Sequence, residues 1–213
     1  MKGLKIKIGN GWIAVIIIAA ILLIDQIIKI EVKTNMALGE ALRVTDWFYI
    51  EFIENNGMAY GMTFFNKLVL SLFRMIAICG IGWYIWRVVK SALYSRGYIV
   101  CLAMVLAGAA GNLIDCLFYG LIFDASTPYN VSSFVPWGSG YSSFLYGKVV
   151  DMFYFPIIHT TWPEWLPFCG GDDFVFFSPI FNFADSCISV GVVLLLLFYR
   201  KDLEHMSEAW QKV

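Results

Sequence analysis

Phe181-Asn182-Phe183-Ala184-Asp185-Ser186 opens the apolar run Cys187–Tyr199, and the architecture of the chain follows from how this stretch is read. Ser178-Pro179 reads as an N-cap and a first helical residue, so a helix is predicted over 179–199. That length approaches the ~20 residues needed to cross a bilayer. Asn182, Asp185 and Ser189 then fall at i, i+3 and i+7 on one helical face. An ionisable group one turn into a membrane-length helix is expensive, so it faces a partner or a water-filled cavity. The partial positive charge of a helix N-terminus favours the anionic form of a carboxyl placed there.

Three other segments have the same character, at 12–30, 68–86 and 98–119. The 213 residues are 60% hydrophobic and 15% charged, which is too apolar for an ordinary soluble domain. Backbone groups in lipid need internal partners, so these segments are predicted to be helices. The expected fold is an all-α polytopic membrane protein with a single membrane domain over 1–213 and four transmembrane helices. A small strand-containing outer cradle is expected over 42–60, and outer loop insertions over 121–147 and 157–178.

Lys2, Lys5 and Lys7 precede the first span, Arg87, Lys90 and Arg96 lie between the second and third, and Arg200 and Lys201 follow the fourth. The segment 120–178 carries one basic residue, Lys148. Both termini and the middle loop are therefore expected in the cytoplasm, with 31–67 and 120–178 outside. Lys33, Arg43 and Lys67 in the first outer segment run against that rule. The basic start and apolar run read as a retained signal-anchor helix, since no small-residue cleavage site follows Asp25-Gln26. Four of the five cysteines lie in or at the ends of spans, so no disulfide framework is visible. A net charge of −1 gives no nucleic-acid footprint.

Residues 42–54 are rich in β-branched and aromatic types, and Asn55-Asn56-Gly57 is a turn signal. Trp47, Phe48 and Tyr49 suit the interfacial belt. Gly108, Asn112 and Asp115 share one face of the third span, and its Gly and Ala residues let another helix approach closely. Asp25 and Lys29 are spaced to pair, either as an interfacial ion pair or as part of a site. Arg74 either snorkels to the headgroups or pairs with an acid of the bundle. Asp151 is expected in an apolar, aromatic loop, and a short helix near Glu164. His159 and His205 do not make a metal site. No Ser-His-Asp arrangement, HExxH, P-loop or dinucleotide fingerprint is present.

What remains is a set of carboxylates at one depth: Asp25, Asp115, Asp151 and Asp185. Two carboxylates held close share a proton, and such a pair can activate water and protonate a leaving group. Three readings stay open on these grounds. They are a peptidase working at the membrane surface, a small proton-coupled carrier using Asp25, Asp115 and Asp185 as relay acids, and a structural four-span protein. The carrier needs a polar path to the cytoplasmic side, which Val15–Ile24 and Val192–Phe198 do not offer.

Five blocks in order narrow the choice: Asp25-Gln26-x-x-Lys29, Asn55-x-Gly57-x-Ala59-Tyr60, Gly108-x-x-Gly111-Asn112-x-x-Asp115, Val149-Val150-Asp151-Met152 and Phe181-Asn182-x-Ala184-Asp185-Ser186. Together they resemble the signature blocks of lipoprotein signal peptidase, the type II signal peptidase. The resemblance implies an intramembrane aspartic peptidase of the bacterial inner membrane, working near its outer face. It implies diacylglyceryl-prolipoprotein substrates cut before the lipidated Cys, membrane lipids around the protein, and globomycin-type inhibitors. It implies no metal or cofactor, and the chain is expected to act as a monomer. The catalytic pair carries over to Asp151 and Asp185, with Asp185 expected to be the ionised member. Asn55, Gly57, Asn112 and Asn182 match positions that line the site and hold substrate backbone. Asp115, Asp25 and Lys29 match supporting positions. The family commonly has Arg directly after the Asp of the third block; here Cys116 stands there, and Arg74 is the candidate to supply that contact. The links from Asp115 to Asp151 and from Asp151 to Asp185 are also longer than is usual in the family.

Overall fold

In the computed structural model, residues 9–56, 67–91 and 93–206 are described. Helix α1 (Asn10–Asn35) leads to a hairpin of β1 (Ala41–Thr45) and β2 (Phe48–Asn55). Helices α2 (Lys67–Lys90) and α3 (Arg96–Ile114) follow. The helix continues as a π-helical turn, Asp115–Tyr119, and a last turn, α4 (Gly120–Ile122). Strand β3 (Val149–Tyr154), the hairpin β4 (Ile158–Thr161) and β5 (Asp173–Phe176), and β6 (Ile180–Phe181) precede α5 (Phe183–Phe198) and α6 (Arg200–Glu204). Gly57 and the Ala59-Tyr60 pair lie outside the described residues.

Helices α1, α2 and α3–α4 are long and apolar enough to cross a membrane. Helix α5, at 16 residues, is shorter, about 24 Å at 1.5 Å per residue. The expected start at Ser178-Pro179 is therefore corrected to Phe183, with Asn182 as N-cap. The reason is that Ile180 and Phe181 pair with Tyr154 and Phe153 of β3 and are drawn into the sheet. Asn182 and Asp185 then cap the helix reciprocally. Ser95 caps α3 by accepting from the Tyr98 N–H at 3.3 Å.

The sheet order is β1-β2-β3-β6, antiparallel throughout. Asp151 thus lies on a strand rather than in the expected loop, paired with Ile53 across a register irregularity in β2. The second insertion contains the β4–β5 hairpin, with turns rather than a helix near Glu164. One face of β2 and β3 packs Phe52, Val150 and Met152 against Val32 of α1, Tyr119 of the π-helical turn and Phe123 just beyond α4. The other carries Asp151 and, two residues on, Phe153.

Helix α3 is the hub of the bundle, and Gly108 and Gly111 make it so. A Cβ on Gly108 would lie 2.3 Å from the Ala184 carbonyl oxygen of α5. One on Gly111 would lie 2.6 Å from Asp25 Oδ2 of α1. Gly108→Val should therefore force α5 outward and lower stability by ~1–3 kcal/mol, the usual cost of overpacking. Thermal unfolding in detergent measures it, and an unchanged midpoint would show that the helices can separate freely there.

Candidate active site

Asp151 and Asp185 approach each other because β6 runs straight into α5. Strand β6 pairs with β3, which carries Asp151, and one residue later Asn182 caps the helix that carries Asp185. Asn182 is fully buried and touches both acids. Its side-chain Nδ2 donates to Asp151 Oδ1 at 2.7 Å, and its Oδ1 accepts from the Asp185 backbone N–H at 2.9 Å. Asp185 Oδ1 accepts from Asn112 Nδ2 at 2.7 Å, and its Oδ2 from the Asn182 N–H at 3.5 Å. Asp151 Oδ2 accepts from Asn55 Nδ2 at 3.2 Å.

The amides are themselves held. Asn112 Oδ1 accepts from Asn182 Nδ2 at 3.0 Å and from Lys29 Nζ at 2.8 Å, so the ammonium fixes which end of the Asn112 amide faces Asp185. Lys29 also lies 3.0 Å from Asp25 Oδ2 and 2.8 Å from Asp115 Oδ2, all three side chains fully buried. Of the two accounts of the Asp25–Lys29 pair, this favours a part behind the site. Asp25 Oδ1 accepts the Ala184 N–H in the first turn of α5 at 3.0 Å, and Asp115 Oδ2 accepts the Val150 N–H of β3 at 3.3 Å. The ion network is thereby tied to both elements that carry the acids. The π-helical turn begins at Asp115, a local widening of the kind often found at functional sites.

Burial, and after it the neighbouring Asp185, pushes the Asp151 carboxyl up to about 7, with the Asn55 and Asn182 donors pulling the other way. Beyond Asp151 the same sheet face is aromatic. Phe153 meets Phe181 with centroids 6.0 Å apart, Phe155 stacks on Phe48 at 4.6 Å and on Trp47 at 6.1 Å, and Phe177 meets Phe181 at 5.9 Å.

Most of the residues singled out from the sequence converge here: Asp25, Lys29, Asn55, Asn112, Asp115, Asp151, Asn182 and Asp185. Half-buried Arg74 of α2 lies outside this network but beside Cys116, its Nη1 donating to Cys116 Sγ at 3.3 Å. Gln26, which the first block contains but to which the sequence assigns no role, is a further contributor. Its Nε2 donates to Asp115 Oδ1 at 3.0 Å and Asp25 Oδ2 at 3.1 Å, and its Oε1 accepts from Tyr119 OH. A neutral amide beside Asp25 carries no periodic signal. Among the described residues no group of three or more His, Cys, Asp or Glu has metal-ligand geometry.

A family model described as signal peptidase II matches residues 17–200. The chain is 46% identical over 195 residues to the lipoprotein signal peptidase of Porphyromonas gingivalis, covering 92% of this chain and 86% of that protein. It is 34% identical over 194 residues to that of Amoebophilus asiaticus, covering 88% and 78%. A solved bacterial membrane enzyme structure superposes with a TM-score of 0.61 at 24% identity, over 89% of this chain and 88% of that one. At that identity the likeness is one of fold.

Proposed function

The chain belongs to the signal peptidase II family, the lipoprotein signal peptidases, and on that premise we propose that it is an aspartic endopeptidase whose water is activated by Asp151 and Asp185. The observation that carries this reading is Asn182, whose side-chain Nδ2 holds the Asp151 carboxylate while its Oδ1 and backbone N–H hold Asp185, so that acids from separate elements meet at one residue. The substrates are diacylglyceryl-modified prolipoproteins, cut before the lipidated Cys. The acyl chains remain in the bilayer, and the peptide lies along the aromatic face of β3 and β6 with its scissile bond between the acids.

Asp185, at a helix N-terminus and with two donors on its carboxylate, acts as the base. It takes a proton from water as the water oxygen adds to the carbonyl carbon. Asp151 gives its proton to the carbonyl oxygen. On collapse the proton held by Asp185 passes to the leaving amine, and Asp151 recovers its own from the diol. Asn55, Asn112 and Asn182 orient the two carboxylates and hold substrate backbone. Arg74 supplies the basic contact beside Cys116. Globomycin-type inhibitors occupy the same cleft.

Helix α5 completes a fourth crossing of the bacterial inner membrane, with the active site near the outer face and both termini cytoplasmic. Of the three basic residues that ran against this orientation, two are paired with acids and one with a neutral amide. Lys33 is buried against Glu54, Arg43 pairs with Asp46, and Lys67 donates to Asn56 Oδ1 at 3.3 Å.

The test of function is cleavage of a diacylglyceryl-modified prolipoprotein by the purified full chain, with the unmodified precursor alongside. Cleavage of the modified form alone is expected, and intact substrate with well-folded enzyme overturns the reading. The same assay carries a pH prediction. A carboxyl raised to about 7 keeps its proton below that pH and loses it above, so kcat/KM should fall as pH rises through about 7. A rate that climbs steadily through that range would show that Asp151 does not work as the acid.

A further inference from the structure

A second cluster of charges lies on the opposite face of β2 from Asn55. The Glu54 side chain is 2% exposed and is gripped from two sides, by Lys33 of α1 on Oε1 at 2.5 Å and by Lys148 on Oε2 at 2.8 Å. The insertion between α4 and β3 supplies the rest of the enclosure. Ser126 Oγ donates to Glu54 Oε1 at 3.0 Å and accepts from Lys33 Nζ at 2.9 Å. The Tyr141 hydroxyl accepts the Lys148 backbone N–H at 2.7 Å. The Tyr141 ring centroid lies 5.0 Å from the Lys33 ammonium, and that of Phe123 lies 5.3 Å from it. Burial alone would raise the Glu54 carboxyl, but the two lysines outweigh it and hold the carboxyl below its usual range.

The cluster joins four segments that are distant in sequence, and its position is what gives it a role. Asn55 is the last residue of β2, paired with Val149 at the start of β3. Glu54 is one residue inside that end, opposite Val150, and Lys148 stands just ahead of β3 and three residues before Asp151. The ladder is irregular between Ile50 and Ile53, so the register beside Asp151 depends on the short stretch Ile53–Asn55. The Asn55 donor sits 3.2 Å from Asp151, and a small slip of β2 would break that bond. The insertion is itself fastened to the end of the helix, with Gly147 N–H on the Cys116 carbonyl at 2.9 Å and Ser142 N–H on the Gly120 carbonyl at 2.9 Å.

We propose that Glu54 is a positioning residue, clamped between Lys33 and Lys148 and bracketed by the 121–147 insertion, which fixes the end of β2 so that Asn55 stays on Asp151. The inference rests on the peptidase reading of Asp151. It gives the long link between Asp115 and Asp151 a part in the reaction.

The experiment is a double-mutant cycle on the full chain with the modified prolipoprotein. Glu54→Gln should lower kcat about tenfold at nearly unchanged KM, and Asn55→Ala should lower kcat by about as much while also raising KM through its lost contact with substrate backbone. Adding Glu54→Gln to Asn55→Ala should cost less than about twofold more, because the clamp acts through the amide already removed. Glu54→Asp, which keeps the charge, should recover most of the rate. If Glu54→Gln does not fold, Lys33→Met/Glu54→Gln/Lys148→Met removes the charges on both sides and takes its place in the cycle. Wild-type kcat in the folded variant, or multiplying losses in the double variant, overturns the proposal. Wild-type enzyme that leaves the substrate intact would instead overturn the peptidase reading on which it rests.

Discussion

Asp151→Asn and Asp185→Asn should each reduce cleavage by at least ~10²–10⁴-fold while leaving the protein folded. Each change keeps the shape of the side chain, and each removes a different proton transfer. With Asp185→Asn the water has no base, and the Asn112 amide then faces a side chain able to present a competing donor. With Asp151→Asn the carbonyl oxygen receives no proton, and the Asn182 Nδ2 that now donates at 2.7 Å meets an amide in place of a carboxyl. Asp151→Asn should not weaken the folded state, whereas Asp185→Asn keeps one of two carboxylate acceptors and should cost about 0.5–1.5 kcal/mol. Asp151 is raised to about 7 by burial and by Asp185, so the fold already disfavours its charge, and a neutral amide relieves that cost. An equal or higher thermal midpoint for Asp151→Asn with lost activity would separate catalysis from stability. A variant that retains near-wild-type rates would remove that residue from the dyad and leave the family assignment untouched.

Lys29→Met should be the most destabilising single change among the buried polar residues. Lys29 is the cation that two fully buried carboxylates share, Asp25 at 3.0 Å and Asp115 at 2.8 Å. Breaking a buried pair by removing one partner typically costs ~3–5 kcal/mol, and here two acids are left facing each other. Denaturant or thermal unfolding in detergent measures it, and a loss under about 1 kcal/mol would show that water or protonation relieves the site. Adding Asp25→Asn and Asp115→Asn removes the stranded charges and should return much of the stability. It should not return the activity. Asn112 Oδ1 would still lack the ammonium at 2.8 Å, leaving Asn182 at 3.0 Å to keep the amide turned toward Asp185. If the triple variant cleaves like wild type, Lys29 serves stability alone.

Much of the bundle was legible from local pattern. Apolar length placed α1, α2 and α3 within a few residues of their observed bounds, because a chain in lipid must satisfy its own backbone groups and a helix does so without reference to the rest of the fold. Helical spacing put Gly108, Asn112 and Asp115 on one face, and that face meets α1 and α5. The β-branched and aromatic run 42–54 announced the β1–β2 hairpin.

The departures are all non-local. The sequence around Ser178-Pro179 is a good helix start, yet Ile180 and Phe181 belong to the sheet because β3, far back in the chain, offers them a partner. That pairing moves the cap to Asn182, whose amide reaches the Asp151 carboxylate and the Asp185 backbone N–H. Asp151 lacks any sign of a strand in its charge, and its place follows from the ladder with β2. Lys33 and Lys148 looked like ordinary outer-loop cations, and nothing near them in sequence announces that Glu54 lies between them. Residue types and helical periods are read one segment at a time, so they specified which acids and amides the protein has and which helices carry them. Which donor faces which carboxylate is set by strand register and helix crossing, and those are fixed by the packing of segments tens of residues apart.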